Sequence, residues 1–249
     1  MTEFIFHPEG NGLVKISGKV SNYKKKRDSA SFVFTKSDQT TMGVIAIAAV
    51  LLGMGGQATA IASNSTSMEE EADYVEFNIE NKFIKGWLWR SPFLEGDDVN
   101  VAAEWRGEYY EIFGMVRPKD NMVALYPHCS RSKTRHIKNA IKWWLIFSIS
   151  MQILISIMFS IPDGWRVGME SWASIIRDDG IWWNIGIFIA FGIPIAGMAQ
   201  QWLPFVGLAE KVFRKLELPN YKNIDLVKSS KGRHTDQDTP EFGVMYFRY

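Results

Sequence analysis

Two patterns divide the chain. Through Pro127 the apolar and polar positions alternate in short bursts, and beyond it long apolar runs take over. Val14, Ile16 and Val20 alternate with polar neighbours, and Ser29-Ala-Ser-Phe-Val-Phe-Thr35 is a second β-prone stretch. Val75, Phe77 and Ile79 lead to a corner at Glu80-Asn81-Lys82, followed by Phe83 to Trp89. Val99, Val101, Ala103 and Trp105 run to a hairpin turn at Arg106-Gly107. Tyr109 to Val116 then reaches a turn at Pro118-Lys119-Asp120-Asn121, and Met122 to Tyr126 closes the set. Period-two alternation broken by Gly, Pro and Asn predicts an antiparallel meander. About six or seven short strands in this space predict a small, OB-like β-barrel over residues 1–130.

Three stretches carry no Asp, Glu, Lys or Arg: Gly43–Ser63, Trp143–Pro162 and Ile181–Ala209. A bilayer core about 30 Å thick takes roughly 20 apolar residues at about 1.5 Å each. The second and third stretches meet that length, with spans predicted at 143–162 and 181–201. Trp143 and Trp144 open one span, Trp182 and Trp183 open the other, and Trp202 closes it. An indole has an apolar ring and an N–H that needs a partner, so these five are expected as interface anchors. Arg131, Lys133, Arg135, Lys138 and Lys142 precede the first span, and Lys211, Arg214 and Lys215 follow the second. The positive-inside rule then makes residues 131–209 a transmembrane hairpin with both ends on the cytoplasmic side. Glu210–Leu218 reads as a short amphipathic helix opening a soluble tail, 210–249, whose last residues are β-like. The expected class is an α+β membrane protein.

The first stretch interrupts the β-rich part. A turn at Gly53, Gly55 and Gly56 would split it into two arms of about ten residues, each too short to span. Small residues four apart, Ala49 with Gly53 and Gly56 with Ala60, would let the arms pack closely. Three readings are open: a re-entrant membrane hairpin, a hairpin buried in the soluble domain, or a single span with the flanking strands in two separate units. Within the second stretch, Ser148, Gln152, Ser156 and Ser160 recur every fourth residue and fall on one helix face. Facing lipid, the Gln amide would lose its hydrogen bonds at a cost of several kcal/mol. The stripe is expected either to pack against another helix or to line a pore between copies of the hairpin.

Composition adds mainly exclusions. In 249 residues, 28 Lys and Arg offset 27 Asp and Glu, which speaks against a nucleic-acid partner. The one cysteine, Cys129, cannot form an internal disulfide or a Cys-based zinc site. His7, His128, His136 and His234 show no metal-ligand spacing, and no nucleophile elbow, phosphate loop or dinucleotide fingerprint is present. No catalytic residue, metal or cofactor is expected. Glu69, Glu70, Glu71 and Asp73 read as a solvated face or a proton-sensitive patch, and Lys24–Arg27 as a solvated turn or a headgroup contact. Met1–Gly10 has no apolar h-region, so insertion through internal segments or export without a signal peptide is expected.

Ser29–Thr35, Gly53-Met-Gly-Gly-Gln-Ala58, Gly86-Trp-Leu-Trp-Arg-Ser-Pro-Phe93 and Leu125-Tyr-Pro-His-Cys-Ser-Arg131 stand in a distinctive order. With these phrases the chain resembles a family of Gram-negative membrane proteins described as type VI secretion system effectors. The resemblance implies export by a contractile injection apparatus, a carrier or chaperone, and a cognate immunity protein in the producer. It brings no catalytic residues. The expected function is a non-enzymatic toxin that inserts into a competitor's inner membrane and permeabilises or depolarises it, as a homo-oligomer if the stripe lines a pore. The competing expectation is a resident inner-membrane protein, an immunity factor or assembly scaffold, whose cytoplasmic β domain binds a partner. A membrane-tethered enzyme is the third.

Overall fold

The structure is a computed structural model in which residues 12–30, 32, 70–160 and 180–249 are described, apart from the side chains of residues 156, 158–160, 180, 181 and 183. The insert 43–63, its glycines Gly53, Gly55 and Gly56, and the loop between the predicted spans lie outside the described residues.

Six strands come first: β1 (Leu13–Ala30), β2 (Glu70–Ile79), β3 (Lys82–Leu88), β4 (Asp98–Trp105), β5 (Tyr110–Arg117) and β6 (Met122–Leu125). The 18-residue β1 serves two neighbours, β4 along its first half and β2 along its second. A register shift between Ser21 and Lys24, with Asn22 at φ 54°, bends it between them. A parallel pairing of Ile84 with Tyr110 and Lys85 with Glu111 joins β3 to β5 and closes a five-stranded barrel, β1-β2-β3-β5-β4. All other pairs are antiparallel. The expected turns fall where the sequence puts them: Glu80 at φ 53° between β2 and β3, and Asn121 at φ 55° between β5 and β6. The basic run Lys24–Arg27, by contrast, lies inside β1 and pairs with β2, so it is a strand rather than a turn.

Among the described residues three helices follow: α1 (Lys133–Ser160), α2 (Gly180–Gln201) and α3 (Leu203–Lys215). A 3₁₀ turn (Tyr221–Asn223), α4 (Leu226–Ser230) and β7 (Tyr246–Arg248) complete the chain, with β7 antiparallel to β6. Asp238 fixes that end by holding Arg248 at 2.6 and 2.8 Å. Burial alone would raise the Asp238 pKa, but the bonds from Arg248 and Thr235 outweigh it and hold the carboxyl at about 2.

Two compact units result: His136–Trp202, and the barrel with residues 203–249. The change from apolar hairpin to tail therefore falls at Trp202/Leu203, not at Ala209. Pro204 sits in the first turn of α3, where its missing N–H would have no partner within the helix in any case. Phe205, Val206, Leu208 and Ala209 then join Val212 and Phe213 on one buried face of α3.

The barrel unit has two cores. Val75, Phe77, Ile84, Leu88 and Met115 belong to one, all fully buried. Phe113 and Leu125 pack with Leu208, Val212, Phe213 and Leu216 of α3 in the other. Gly114 sets the approach of α3: a Cβ there would lie 2.6 Å from Val212 Cγ1 and 2.8 Å from Leu125 Cδ2. Gly114→Val is expected to destabilise the protein by about 1–3 kcal/mol through overpacking. Thermal unfolding checks this.

Candidate functional site

Two places carry the functional reading, one in each unit. In the helical unit α1 and α2 pack through aromatic rings. Trp144 Nε1 donates to the Phe188 carbonyl at 3.0 Å, and its ring meets Phe188 edge-on at 5.7 Å. Phe147 meets Phe191 edge-on at 5.0 Å. Gly192 leaves room for the indole, since a Cβ there would stand 3.2 Å from Trp144 Nε1. At the open end of the pair, His136 Nε2 lies 2.9 Å from the Ala199 carbonyl, so the start of α1 and the end of α2 meet.

The opposite faces of these helices are apolar and exposed. Ile153, Leu154 and Ile157 of α1 and Ile185, Ile189 and Ile193 of α2 all face outward. Asn184–Gln201 is long and apolar enough to cross a membrane by length and composition, and none of it is buried. Its helix has 22 residues, about 33 Å at 1.5 Å each. Of the five expected anchors, Trp143, Trp182 and Trp202 are exposed, at 62%, 70% and 44%. Trp144 is instead partly buried in the helix pair, and the Trp183 side chain is outside the description.

The predicted polar stripe divides. Ser148 is fully buried, one turn beyond Trp144, so it lies on the face turned to α2. Its hydroxyl has no hydrogen-bond partner among the described residues. Gln152 is partly buried on the same face, and the side chains of Ser156 and Ser160 are not described.

The second place is the barrel end from which the chain departs into its apolar segments. His128, in left-handed backbone at φ 65°, puts Nε2 3.0 Å from the Glu70 carboxylate. Its ring contacts Trp89 at 5.0 Å and Phe205 at 5.2 Å between centroids. The neighbouring Cys129 is buried, and its Sγ lies 3.5 Å from the Phe205 carbonyl. Burial pushes this thiol well above its ordinary pKa, so it is an inert core group. Beside them Asp73, 1% exposed, accepts from Arg27 Nε at 3.1 Å and from the Ser91 N–H at 2.9 Å. Arg90, also buried, approaches Asp73 at 3.9 Å and donates to the Glu71 carbonyl at 3.1 Å. Ser91 in turn bonds the Tyr23 hydroxyl, whose pKa burial pushes up to about 12.

Comparison with known proteins finds no match for this chain among family models, curated proteins or solved structures. The reading therefore rests on geometry and sequence.

Three residues of the acidic run have partners: Glu70 pairs with His128, the exposed Glu71 with Arg90, and the buried Asp73 with Arg27. Sequence spacing does not report these pairings. Among the described residues, no three His, Cys, Asp or Glu side chains gather as a metal site would need. Burial holds His128 below its ordinary value of 6.5, although Glu70 pulls the other way. The unfolded chain then binds more protons, so the His128 contribution is complete above about pH 6.5 and is lost as pH falls through and below it. Thermal stability should drop less between about pH 7 and 5.5 in His128→Gln than in the wild type. An unchanged pH slope in the variant would refute this assignment.

Proposed function

We propose that the protein acts without chemistry of its own, with α1 and α2 crossing a bilayer as a hairpin and the barrel in water. The observation that carries this reading is the continuous outward apolar face of the two helices, bounded by exposed tryptophans. A patch of this kind marks contact with a membrane or a partner. Bare of charge through both spans, it suits lipid. The close contact of His136 with Ala199 accords with two crossings, since both ends of such a hairpin lie on one side.

Within that reading, the resemblance to type VI secretion system effectors supports a toxin that permeabilises a target inner membrane. Export by an injection apparatus would then require a carrier or chaperone to cover the apolar helices, and the producer would need an immunity protein. The geometry constrains how a pore could form. Ser148 faces the partner helix of its own hairpin, so a pore lined by this stripe requires α1 and α2 to separate and reassemble with other copies. The same burial favours a second reading, a resident inner-membrane protein whose hairpin is a plain anchor and whose barrel binds a partner.

Inducible expression in a naive Gram-negative host, with membrane potential followed by a voltage-sensitive dye, separates the two. Depolarisation before lysis, weakened by Gln152→Leu combined with Ser156→Leu, is the outcome expected of the effector. Normal potential and growth, despite retention in the alkali-extracted membrane fraction, would exclude the toxin and leave the resident protein.

A further inference from the structure

The first half of β1 is an ordinary barrel strand, but its last stretch is not. Every residue from Lys24 to Ser29 is exposed, whereas a strand covered on one face alternates. On one side this stretch pairs with β2, from Lys24 with Glu76 to Ala30 with Glu70. On the other side β4 accompanies β1 only as far as Lys19. Val20 then exchanges backbone bonds with Gly96 and Asp97. From Lys24 onward, among the described residues, no backbone group outside β2 bonds to this strand.

Where β1 gives up N–H groups near this edge, carboxylates receive them. Glu95 accepts from the Asn22 N–H at 3.0 Å through one oxygen and from the Tyr23 N–H at 2.6 Å through the other. Asp28 accepts from the Ser29 N–H at 2.9 Å. Successive N–H groups of a strand point to opposite edges, so those of Lys25 and Arg27 share the open edge with Ser29. Such a row is a template for one more strand.

Charge selects which strand. Arg27 is taken by Asp73 and Lys26 by Asp28. Lys25 donates to the Ser91 carbonyl at 3.0 Å, and among the described residues neither it nor Lys24 has a carboxylate partner. Four adjacent cationic side chains repel a second copy of the same edge. They favour an acidic neighbour, and β1 already holds one on its other side, since β2 carries Glu70, Glu71, Asp73 and Glu76.

We infer that Lys24–Ser29 is a docking edge for an extended acidic segment of a partner protein, which adds to the sheet as a strand beside β1. Main-chain bonds to Lys25 and Arg27 would supply affinity, and the lysines the choice of partner. The inference concerns the barrel unit by itself and does not depend on whether α1 and α2 cross a bilayer.

A fluorescent, end-blocked peptide of alternating Glu and Val tests this against the full chain in neutral detergent. Binding is followed by anisotropy, and amide hydrogen exchange locates it. The acidic peptide is expected to bind and to slow exchange within residues 24–29. N-methylation at two adjacent central residues blocks pairing along either edge of the peptide and should weaken binding at least about tenfold. A Lys-Val peptide should bind no better than the methylated one. Equal binding of the methylated peptide, or displacement by an oligothymidylate at equal concentration, would reveal only a basic surface and overturn the inference. Failure of the acidic peptide to bind, or protection confined to residues outside 24–29, would overturn it as well.

Discussion

Asp73→Ala is expected to destabilise the protein by about 1–3 kcal/mol, because it removes a buried carboxylate and leaves the hydrogen-bond donors it serves without their acceptor. Asp73 is 1% exposed and Arg90 7%, so water cannot take the place of the carboxylate, although Arg90 keeps Glu71 at 3.5 Å and the Glu71 carbonyl at 3.1 Å. Arg27, half-exposed, can turn to solvent and adds little to the loss. The Ser91 N–H, which donates to Asp73 at 2.9 Å, is left without that acceptor. Combining Asp73→Ala with Arg90→Met removes both charges and should recover a large part of the stability. If the double variant is as unstable as the sum of the single changes, the two groups are not coupled and the account of this cluster is wrong. The cluster ties β1, β2 and the segment after β3 together beside the roots of the insert, so its loss should also loosen that end of the barrel.

Phe213→Ala should cost about 3–5 kcal/mol, the range for deleting a fully buried ring. At roughly 2–4 °C per kcal/mol for a protein of this size, Tm falls by about 6–20 °C. Phe213 is fully buried in the core shared by α3, Phe113 and Leu125. The consequence reaches past stability, because α3 is the segment that returns the chain from α2 to the barrel. Detachment of α3 should expose Phe205 and Cys129, so the thiol, inert in the native protein, becomes reactive to maleimide. A variant that loses stability while Cys129 stays protected would show that α3 does not hold this end closed.

The barrel was largely legible in the sequence, and for physical reasons. Period-two alternation in Val75–Ile79 reports burial on one face, and Glu80 and Asn121 take the left-handed backbone that their turns need, whereas β4 is buried on both faces from Val101 to Glu104. The parallel β3–β5 pairing that closes the barrel leaves no local trace, since it joins residues already used in antiparallel ladders. Lys24–Arg27 misled for the opposite reason: four charged residues look like a turn, yet strand pairing uses the backbone and lets polar side chains point outward. The apolar run Ile181–Ala209 hid a boundary, because the exposed face of α2 and the buried face of α3 carry the same kinds of side chain. The contacts of His128 with Glu70 and Phe205 join residues far apart along the chain, which composition and spacing do not report.

The central claim is that α1 and α2 cross a membrane as a hairpin, placing the loop between them and the barrel on opposite sides. Labelling with a membrane-impermeant maleimide in spheroplasts tests it most directly, using Ser174→Cys in that loop and Lys119→Cys in the β5–β6 turn. The account predicts labelling of 174 in intact spheroplasts and of 119 only after permeabilisation. Both sites labelled only after permeabilisation, or both labelled before it, would contradict it.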